Sequence, residues 1–144
     1  MSRPVWTEAK VSTPRHETAY LSAGPGDGTP IVLVHGWPEL SISWRHQIPR
    51  LADLGYRVIA PDMRGYGGSS TYDTHAAHAQ REVVADMLEL VDALSIPRAI
   101  WVGLDWGCAP VWSMARHHPD RVIAVANFCV PYLTLEIGWE GLLP

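Results

Sequence analysis

The sequence lacks the features that would mark a membrane, disulfide-rich or nucleic-acid-binding protein. It has only two cysteines, and its longest apolar runs, such as residues 31–34, are far shorter than the roughly 20 residues that span a bilayer. Residues 1–4 begin no apolar signal core. The 11 basic side chains are outnumbered by 15 acidic ones, so a net charge of -4 disfavours nucleic acid as a partner. We expect a cytoplasmic protein with no membrane or nucleic-acid partner, no metal and no cofactor.

Apolar residues, in contrast, are plentiful. They make up 47% of the 144 residues, which is enough for the core of one ordinary domain. Both cysteines, Cys108 and Cys129, lie among apolar neighbours, where unpaired thiols usually act as small buried hydrophobes. The composition therefore predicts a folded domain without a disulfide framework.

The order of apolar runs and amphipathic stretches predicts an α/β fold. Val5–Val11 and His16–Ser22 flank a turn-like Ser-Thr-Pro segment, which indicates an antiparallel edge hairpin. Alternation of strands and helices beyond it favours a mostly parallel sheet flanked by helices, with ligands at the carboxyl ends of the strands. The predicted buried parallel strands are residues 31–34, 57–60, 99–102 and 122–128, and the predicted helices are residues 43–54, 80–94 and 106–118.

The first chemical motif is Gly103-Leu104-Asp105-Trp106-Gly107, between a predicted strand and a predicted helix. A sharp strand-to-helix turn exposes its central side chain, and Gly103 and Gly107 let strand and helix approach. The helix N-terminus favours an ionised carboxylate, which makes Asp105 a candidate nucleophile. An ordinary helix N-cap is the alternative, because aspartate is common there.

The second motif, His35-Gly36-Trp37-Pro38, follows another predicted strand. Gly36 permits a tight turn, and proline next to an aromatic residue stiffens it. Such a loop can aim the Trp37 N–H at the turn, while the residue after the nucleophile, Trp106, gives the second N–H. The pair would form an oxyanion hole. A plain turn at the end of a strand is the alternative.

The third motif, residues 61–70, is a glycine-containing loop without the spacing of a phosphate-binding or dinucleotide-binding loop. It contains Asp62 and Arg64. Because paired charges near turns usually make structural hydrogen bonds, we expect these two side chains to hold the loop rather than act in catalysis.

With residues 41–47, the three motifs resemble those of the epoxide hydrolases in the α/β-hydrolase superfamily, over nearly the whole chain. The resemblance implies the N-terminal half of an α/β-hydrolase fold, with residues 1–131 in the core domain and 132–144 at the start of a truncated helical cap. It also implies that the Asp105 carboxylate opens an epoxide to a vicinal diol through a covalent ester. The Trp37–Pro38 peptide is expected to be cis, with Trp37, Pro38 and Trp106 lining the substrate pocket and His35, Gly36, Gly103 and Gly107 supporting the motifs.

The resemblance also implies catalytic residues that this sequence does not offer at the expected positions. In this fold the acid and the histidine base follow the nucleophile in the chain. None of the seven histidines lies beyond the last predicted strand, where the base of the family is expected, and Tyr132 is the last tyrosine. We interpret His35 as a hydrogen-bonding scaffold and expect a second polypeptide to bring the acid, base and cap tyrosines. Two positions depart from the family: Leu104 replaces a common histidine, and Cys108, which we interpret as a packing residue, replaces a small one.

Other functions stay open. A haloalkane or haloacid dehalogenase uses the same aspartate, although Trp37 stands where haloalkane dehalogenases typically offer an asparagine. A non-catalytic binding fragment would keep only the scaffold. A serine esterase is disfavoured because Ser113 lies within a predicted helix. The sequence also leaves a homo-oligomer open.

Overall fold

The computed structural model describes residues 6–132. It contains one six-stranded sheet and three α-helices. The strands are β1 (Thr7–Ser12), β2 (Glu17–Ala23), β3 (Pro30–Val34), β4 (Arg57–Pro61), β5 (Ala99–Leu104) and β6 (Val122–Phe128). The helices are α1 (Gln47–Asp53), α2 (Gln80–Ala93) and α3 (Cys108–His117). None of the helices within residues 6–132 combines the length and apolar character needed to cross a membrane.

The sheet order is β1-β2-β4-β3-β5-β6. The β1–β2 hairpin is antiparallel and joins β4 in antiparallel register, whereas β4, β3, β5 and β6 run parallel to one another. This confirms the predicted mostly parallel sheet with an edge hairpin. The carboxyl ends of β3, β4 and β5 therefore meet at one edge, where the three sequence motifs begin.

Side-chain alternation along the central strands supplies both faces of the core. On β3, Val32 and Val34 pack with residues of α2 and α3 such as Leu90 and Met114. Leu33 points to the opposite face, where Ile48 of α1 packs. Because both faces are covered, the central strands are apolar throughout rather than alternating.

Two predicted helices begin later than expected. The segment predicted as residues 43–54 is a 3-10 helix at Ser41–Trp44 followed by α1 from Gln47. The segment predicted as 106–118 opens with a 3-10 turn, Asp105–Gly107, before α3. Helical spacing does not separate these cases, because a 3-10 turn at a helix N-terminus keeps nearly the same side-chain period.

The prediction that β6 is buried was wrong for the described residues. Ile123 is 46% exposed and Phe128 is 54% exposed, because β6 forms the edge of the described sheet. Cys129, which follows β6, is exposed as well, although an apolar burial was predicted for it. The predicted cap, residues 132–144, lies outside the described residues apart from Tyr132.

Candidate active site

Asp105 lies at the bend between β5 and α3. Its φ is +50°, in the left-handed region that residues other than glycine rarely adopt. Its side chain is partly exposed. The predicted alternative, an ordinary N-cap, does not fit this geometry: Gly107 is the N-cap of α3, and no side chain caps the helix.

The backbone around this bend is packed so closely that three positions require glycine. A Cβ on Gly36 would lie 2.6 Å from the Asp105 Cβ. A Cβ on Gly103 would lie 2.3 Å from the Asn127 Oδ1, and one on Gly107 would lie 2.4 Å from the Val34 carbonyl oxygen. Since real Cβ atoms do not approach so closely, any side chain at these positions would displace the bend.

The Asp105 carboxylate is held by backbone N–H groups. The Trp37 N–H donates a hydrogen bond of 3.0 Å to Asp105 Oδ1. This bond, followed by one from the Trp106 N–H, lowers the pKa of Asp105 below its ordinary value, since both donors favour the charged form. The Trp37–Pro38 peptide is cis, as the resemblance implied. The structure therefore places one of the two predicted donors, the Trp37 N–H, within hydrogen-bonding distance of the carboxylate.

The indole rings of Trp37 and Trp106 are 63% and 66% exposed beside this carboxylate. Trp106 also lines a cavity of about 350 Å³ between the loop after β4, α2 and the start of α3. Neither Trp37 nor Pro38 lines that cavity. Of the three predicted pocket residues, the structure places only Trp106 on it.

His35 is fully buried at the end of β3. Its Nδ1 lies 2.8 Å from the Gly36 carbonyl oxygen, and its Nε2 lies 3.0 Å from the Met63 backbone nitrogen. Nδ1–H therefore donates and Nε2 accepts, which fixes the neutral tautomer. Burial also lowers the pKa of His35. Both ring nitrogens are occupied by backbone groups, as expected for a scaffold residue.

Asp62 and Arg64 fix the loop after β4, as predicted. Asp62 accepts the Ser41 N–H at 2.8 Å and the Gly68 N–H at 3.0 Å. Arg64 donates to the Ala77 carbonyl oxygen and makes a bidentate pair with Asp86 at 2.6 Å for each bond. This loop forms one wall of the cavity beside Trp106.

Sequence reasoning missed Asp86, a fully buried carboxylate in α2. Besides Arg64, it accepts a 2.5 Å hydrogen bond from Arg15 in the hairpin turn. The available signal was its position, three residues after Val83 and four before Leu90, on the apolar face of the predicted helix. A carboxylate on a buried face requires charged or hydrogen-bonding partners.

Cys108 is buried at the start of α3, as the packing interpretation predicted. Burial raises the pKa of its thiol, and the thiol donates to the Phe128 carbonyl oxygen at 3.0 Å. Among residues 6–132, no group of three or more His, Cys, Asp or Glu side chains is placed to hold a metal ion.

Comparison with known proteins agrees with this fold and motif set. Residues 29–140 match the family model described as alpha/beta hydrolase fold, and the chain belongs to this family. The chain is 47% identical over 127 residues to epoxide hydrolase A of Mycobacterium tuberculosis, an alignment that covers 88% of the chain and 39% of that protein. It is 44% identical over 108 residues to bifunctional epoxide hydrolase 2 of Mus musculus, covering 75% of the chain and 20% of the relative.

Solved structures give the same result. The crystal structure of epoxide hydrolase A from Mycobacterium thermoresistibile superposes with a TM-score of 0.86 at 44% identity, covering 89% of this chain and 40% of that one. An epoxide hydrolase from Vigna radiata superposes with a TM-score of 0.86 at 30% identity, covering 92% and 41%. The chain thus spans about two fifths or less of the length of these relatives.

Proposed function

We propose that this chain carries the nucleophile of an epoxide hydrolase and that Asp105 opens the epoxide to give a vicinal diol. The observation that carries the proposal is the Asp105 carboxylate, at a left-handed bend and held through Oδ1 by the Trp37 N–H at 3.0 Å. The named relatives, all epoxide hydrolases, support the choice of substrate class.

In the first step, Oδ2 of Asp105, which does not accept the Trp37 N–H, attacks one ring carbon. The carbon–oxygen bond of the ring breaks, and the ring oxygen takes a proton from an acid on further polypeptide. The lowered pKa of Asp105 keeps the nucleophile charged. The product is an ester of Asp105 with a neighbouring hydroxyl group.

In the second step, the histidine base on the further polypeptide takes a proton from water as the water oxygen attacks the ester carbon of Asp105, and negative charge develops on Oδ1. The Trp37 N–H already donates to Oδ1 in the resting state, and the Trp106 N–H contributes to the lowered pKa of the same carboxylate. Donors placed in advance stabilise such an oxyanion, and losing one typically costs about 10²- to 10³-fold in rate. Cleavage of the ester bond then releases the diol, whose departing oxygen takes the proton from the histidine. The remaining proton passes to the acid that was deprotonated in the first step, which restores both that acid and the Asp105 carboxylate.

The proposal includes a second polypeptide that carries the acid, the histidine base and the cap tyrosines. It is supported by His35, whose two ring nitrogens are engaged with Gly36 and Met63 and which cannot serve as the base without breaking those bonds. The half-exposed edge strand β6 supports a further packing partner. Residues 1–131 would form the first part of the core domain and residues 132–144 the start of the cap.

A cytoplasmic location is also part of the proposal. Both described cysteines, Cys108 and Cys129, are free thiols. Unpaired cysteines are typical of reducing compartments, since oxidising ones favour disulfides.

Trapping the ester tests the proposed function. The protein as its source makes it would be mixed with excess styrene oxide, quenched in acid within one turnover, and digested for mass spectrometry. We expect the peptide that contains Asp105 to gain the mass of one epoxide, and the Asp105→Asn variant to gain none. Diol formation without any adduct at Asp105, or an adduct at another residue, would overturn the mechanism.

The same preparation separates the alternatives. Halide release from a chloroalkane without diol formation would favour a dehalogenase that uses Asp105. Binding of epoxide with neither reaction would favour a non-catalytic binding fragment.

A further inference from the structure

The cavity beside Trp106 has a lining that the proposed chemistry does not use. Its volume of about 350 Å³ lies at the small end of the range for ligand pockets. Its apolar wall consists of Met63, Val83, Trp106, Ala109 and Pro110. A pocket of this kind favours the apolar body of a small molecule.

One residue of the cavity lining, Trp106, directly follows the proposed nucleophile in the chain. The Trp106 N–H contributes to the lowered pKa of Asp105, and Trp106 also lines the cavity. Ala109 and Pro110 belong to the first turn of α3, directly after the strand-to-helix bend at residues 103–107, the elbow. Trp106 is thus the residue that links the candidate nucleophile to this cavity.

Polar groups at the cavity have hydrogen-bond acceptors to offer. The His78 Nε2–H donates to the Tyr72 carbonyl oxygen at 3.1 Å, which leaves Nδ1 with the lone pair in the neutral ring. The Gln80 amide nitrogen donates to the Ala109 carbonyl oxygen at 2.8 Å, which leaves the amide oxygen as an acceptor. These two acceptors suit a ligand group that donates, such as a hydroxyl.

The cation at the cavity is already neutralised. Arg64 lines the cavity, but its guanidinium makes a bidentate pair with Asp86 and also donates to the Ala77 carbonyl oxygen. A ligand carboxylate would gain little from this arginine and would be repelled by the acceptors of His78 and Gln80. A neutral donor is favoured over an anion.

We propose that this cavity is a subsite for the far end of the substrate, and that it selects epoxides with an apolar body and a hydroxyl group at the opposite end. The proposal rests on the proposed function for the reactive group, since the cavity itself specifies only the remainder of the molecule.

The test compares two probes, a straight-chain terminal epoxide of six carbons and the same epoxide with a hydroxyl on its last carbon. The KM of each would be measured under the same buffer conditions. The corresponding diol and triol would also be titrated by tryptophan fluorescence, which needs no chemistry. We expect the hydroxylated probe to bind about three- to tenfold more tightly, the effect of one net hydrogen bond.

Three variants test which residues cause the preference for the hydroxylated probe. His78→Phe should abolish the preference for the hydroxylated probe, whereas His75→Phe, on the same 3-10 helix but outside the cavity lining, should keep it. Val83→Phe should weaken both probes by filling the cavity. Equal affinity of the two probes in the unmodified protein, or loss of the preference in His75→Phe, would overturn the subsite. A preference in diol and triol binding without any turnover would support the subsite and refute the hydrolase.

Discussion

Asp105 at the elbow and Asp86 in α2 are two carboxylates that the fold holds in opposite ways. Asp105 is partly exposed and accepts backbone N–H groups, one of them at 3.0 Å on Oδ1. Asp86 is fully buried, and both of its oxygens accept bonds from the guanidinium groups of Arg15 and Arg64. No side chain pairs with the Asp105 carboxylate among the described residues, whereas both oxygens of Asp86 are held by arginines.

The difference lies in the kind of donor. Backbone N–H groups carry only partial charge, so they favour the ionised Asp105 without forming an ion pair. Guanidinium groups carry full charge and a fork that fits both carboxylate oxygens, which makes the Arg64–Asp86 contact directional and strong. A backbone-held carboxylate can thus remain charged, oriented and still nucleophilic.

The largest expected effect comes from Asp105→Asn. We expect diol formation to fall by about 10⁴-fold or more, because an amide cannot attack as the carboxylate does. The midpoint of urea unfolding should stay nearly unchanged. Asp53→Asn, a surface change in α1, is the control and should leave the steady-state rate intact. A substantial residual rate in Asp105→Asn would break the distinction between the two aspartates.

Asp86→Asn should mainly lower the free energy of unfolding, whereas Asp105→Asn should mainly lower activity. The change at Asp86 leaves the buried Arg64 without its counter-charge, whereas Arg15 keeps Glu82 and Glu89. Breaking a buried pair in this way typically costs about 3–5 kcal/mol of the free energy of unfolding. Asp92→Asn is the matched control in the same helix, since the Asp92 side chain is 63% exposed and its bond to Arg121 should contribute no more than about 1 kcal/mol. Urea denaturation followed by circular dichroism measures both. Equal losses in the two variants would contradict the structural role of Asp86.

The elbow could be predicted from sequence because its signals are local. Gly103, Asp105 and Gly107 lie within five consecutive residues, directly after an apolar strand. The partners of Asp86 could not, because Arg15 and Arg64 are 71 and 22 residues away in the chain and only the tertiary fold brings them together. The cavity beside Trp106 was missed for the same reason.

Strand β6 shows a second reason why a structural feature could not be predicted from sequence. An apolar run predicts a strand, but whether that strand is central or at an edge depends on which other strands pair with it. The apolar pattern of Val122–Phe128 is therefore compatible with burial, although Ile123 and Phe128 are half exposed in the described sheet.

Gly36→Ala probes the elbow without changing its charge. The new Cβ would lie 2.6 Å from the Asp105 Cβ, so the carboxylate must move. We expect about 10²-fold loss in kcat, as for other displacements of about 1 Å, with about 1–3 kcal/mol lost in stability. At Gly26, an added Cβ meets nothing within 4 Å, so Gly26→Ala is the control. Unchanged kcat in Gly36→Ala would argue against a precisely oriented nucleophile.

The smallest effect concerns pH. Burial lowers the pKa of His35, so the folded protein binds its proton less readily than the unfolded chain does. The contribution of His35 to the free energy of unfolding is then complete above the ordinary histidine pKa of 6.5. It is lost as the pH falls from there through the pKa of His35 in the folded protein. For this one histidine, the free energy of unfolding changes by at most about 1.4 kcal/mol per pH unit.

His16, whose pKa burial also lowers, contributes in the same window. His35→Gln should therefore reduce, but not abolish, the pH dependence of the unfolding free energy between about pH 5 and 7. The exposed His75→Gln should not change it. An unaltered slope in His35→Gln would show that His35 is not held neutral in the folded state.

A single turnover in ¹⁸O-labelled water, with the protein in excess over the epoxide, tests the central claim most directly. If Asp105 forms the ester and water attacks its carbonyl carbon, the first diol carries unlabelled oxygen from the carboxylate, and the label is found on the peptide containing Asp105. Label in the first diol, with none on Asp105, would mean that water attacks the epoxide itself and would contradict the role assigned to this residue.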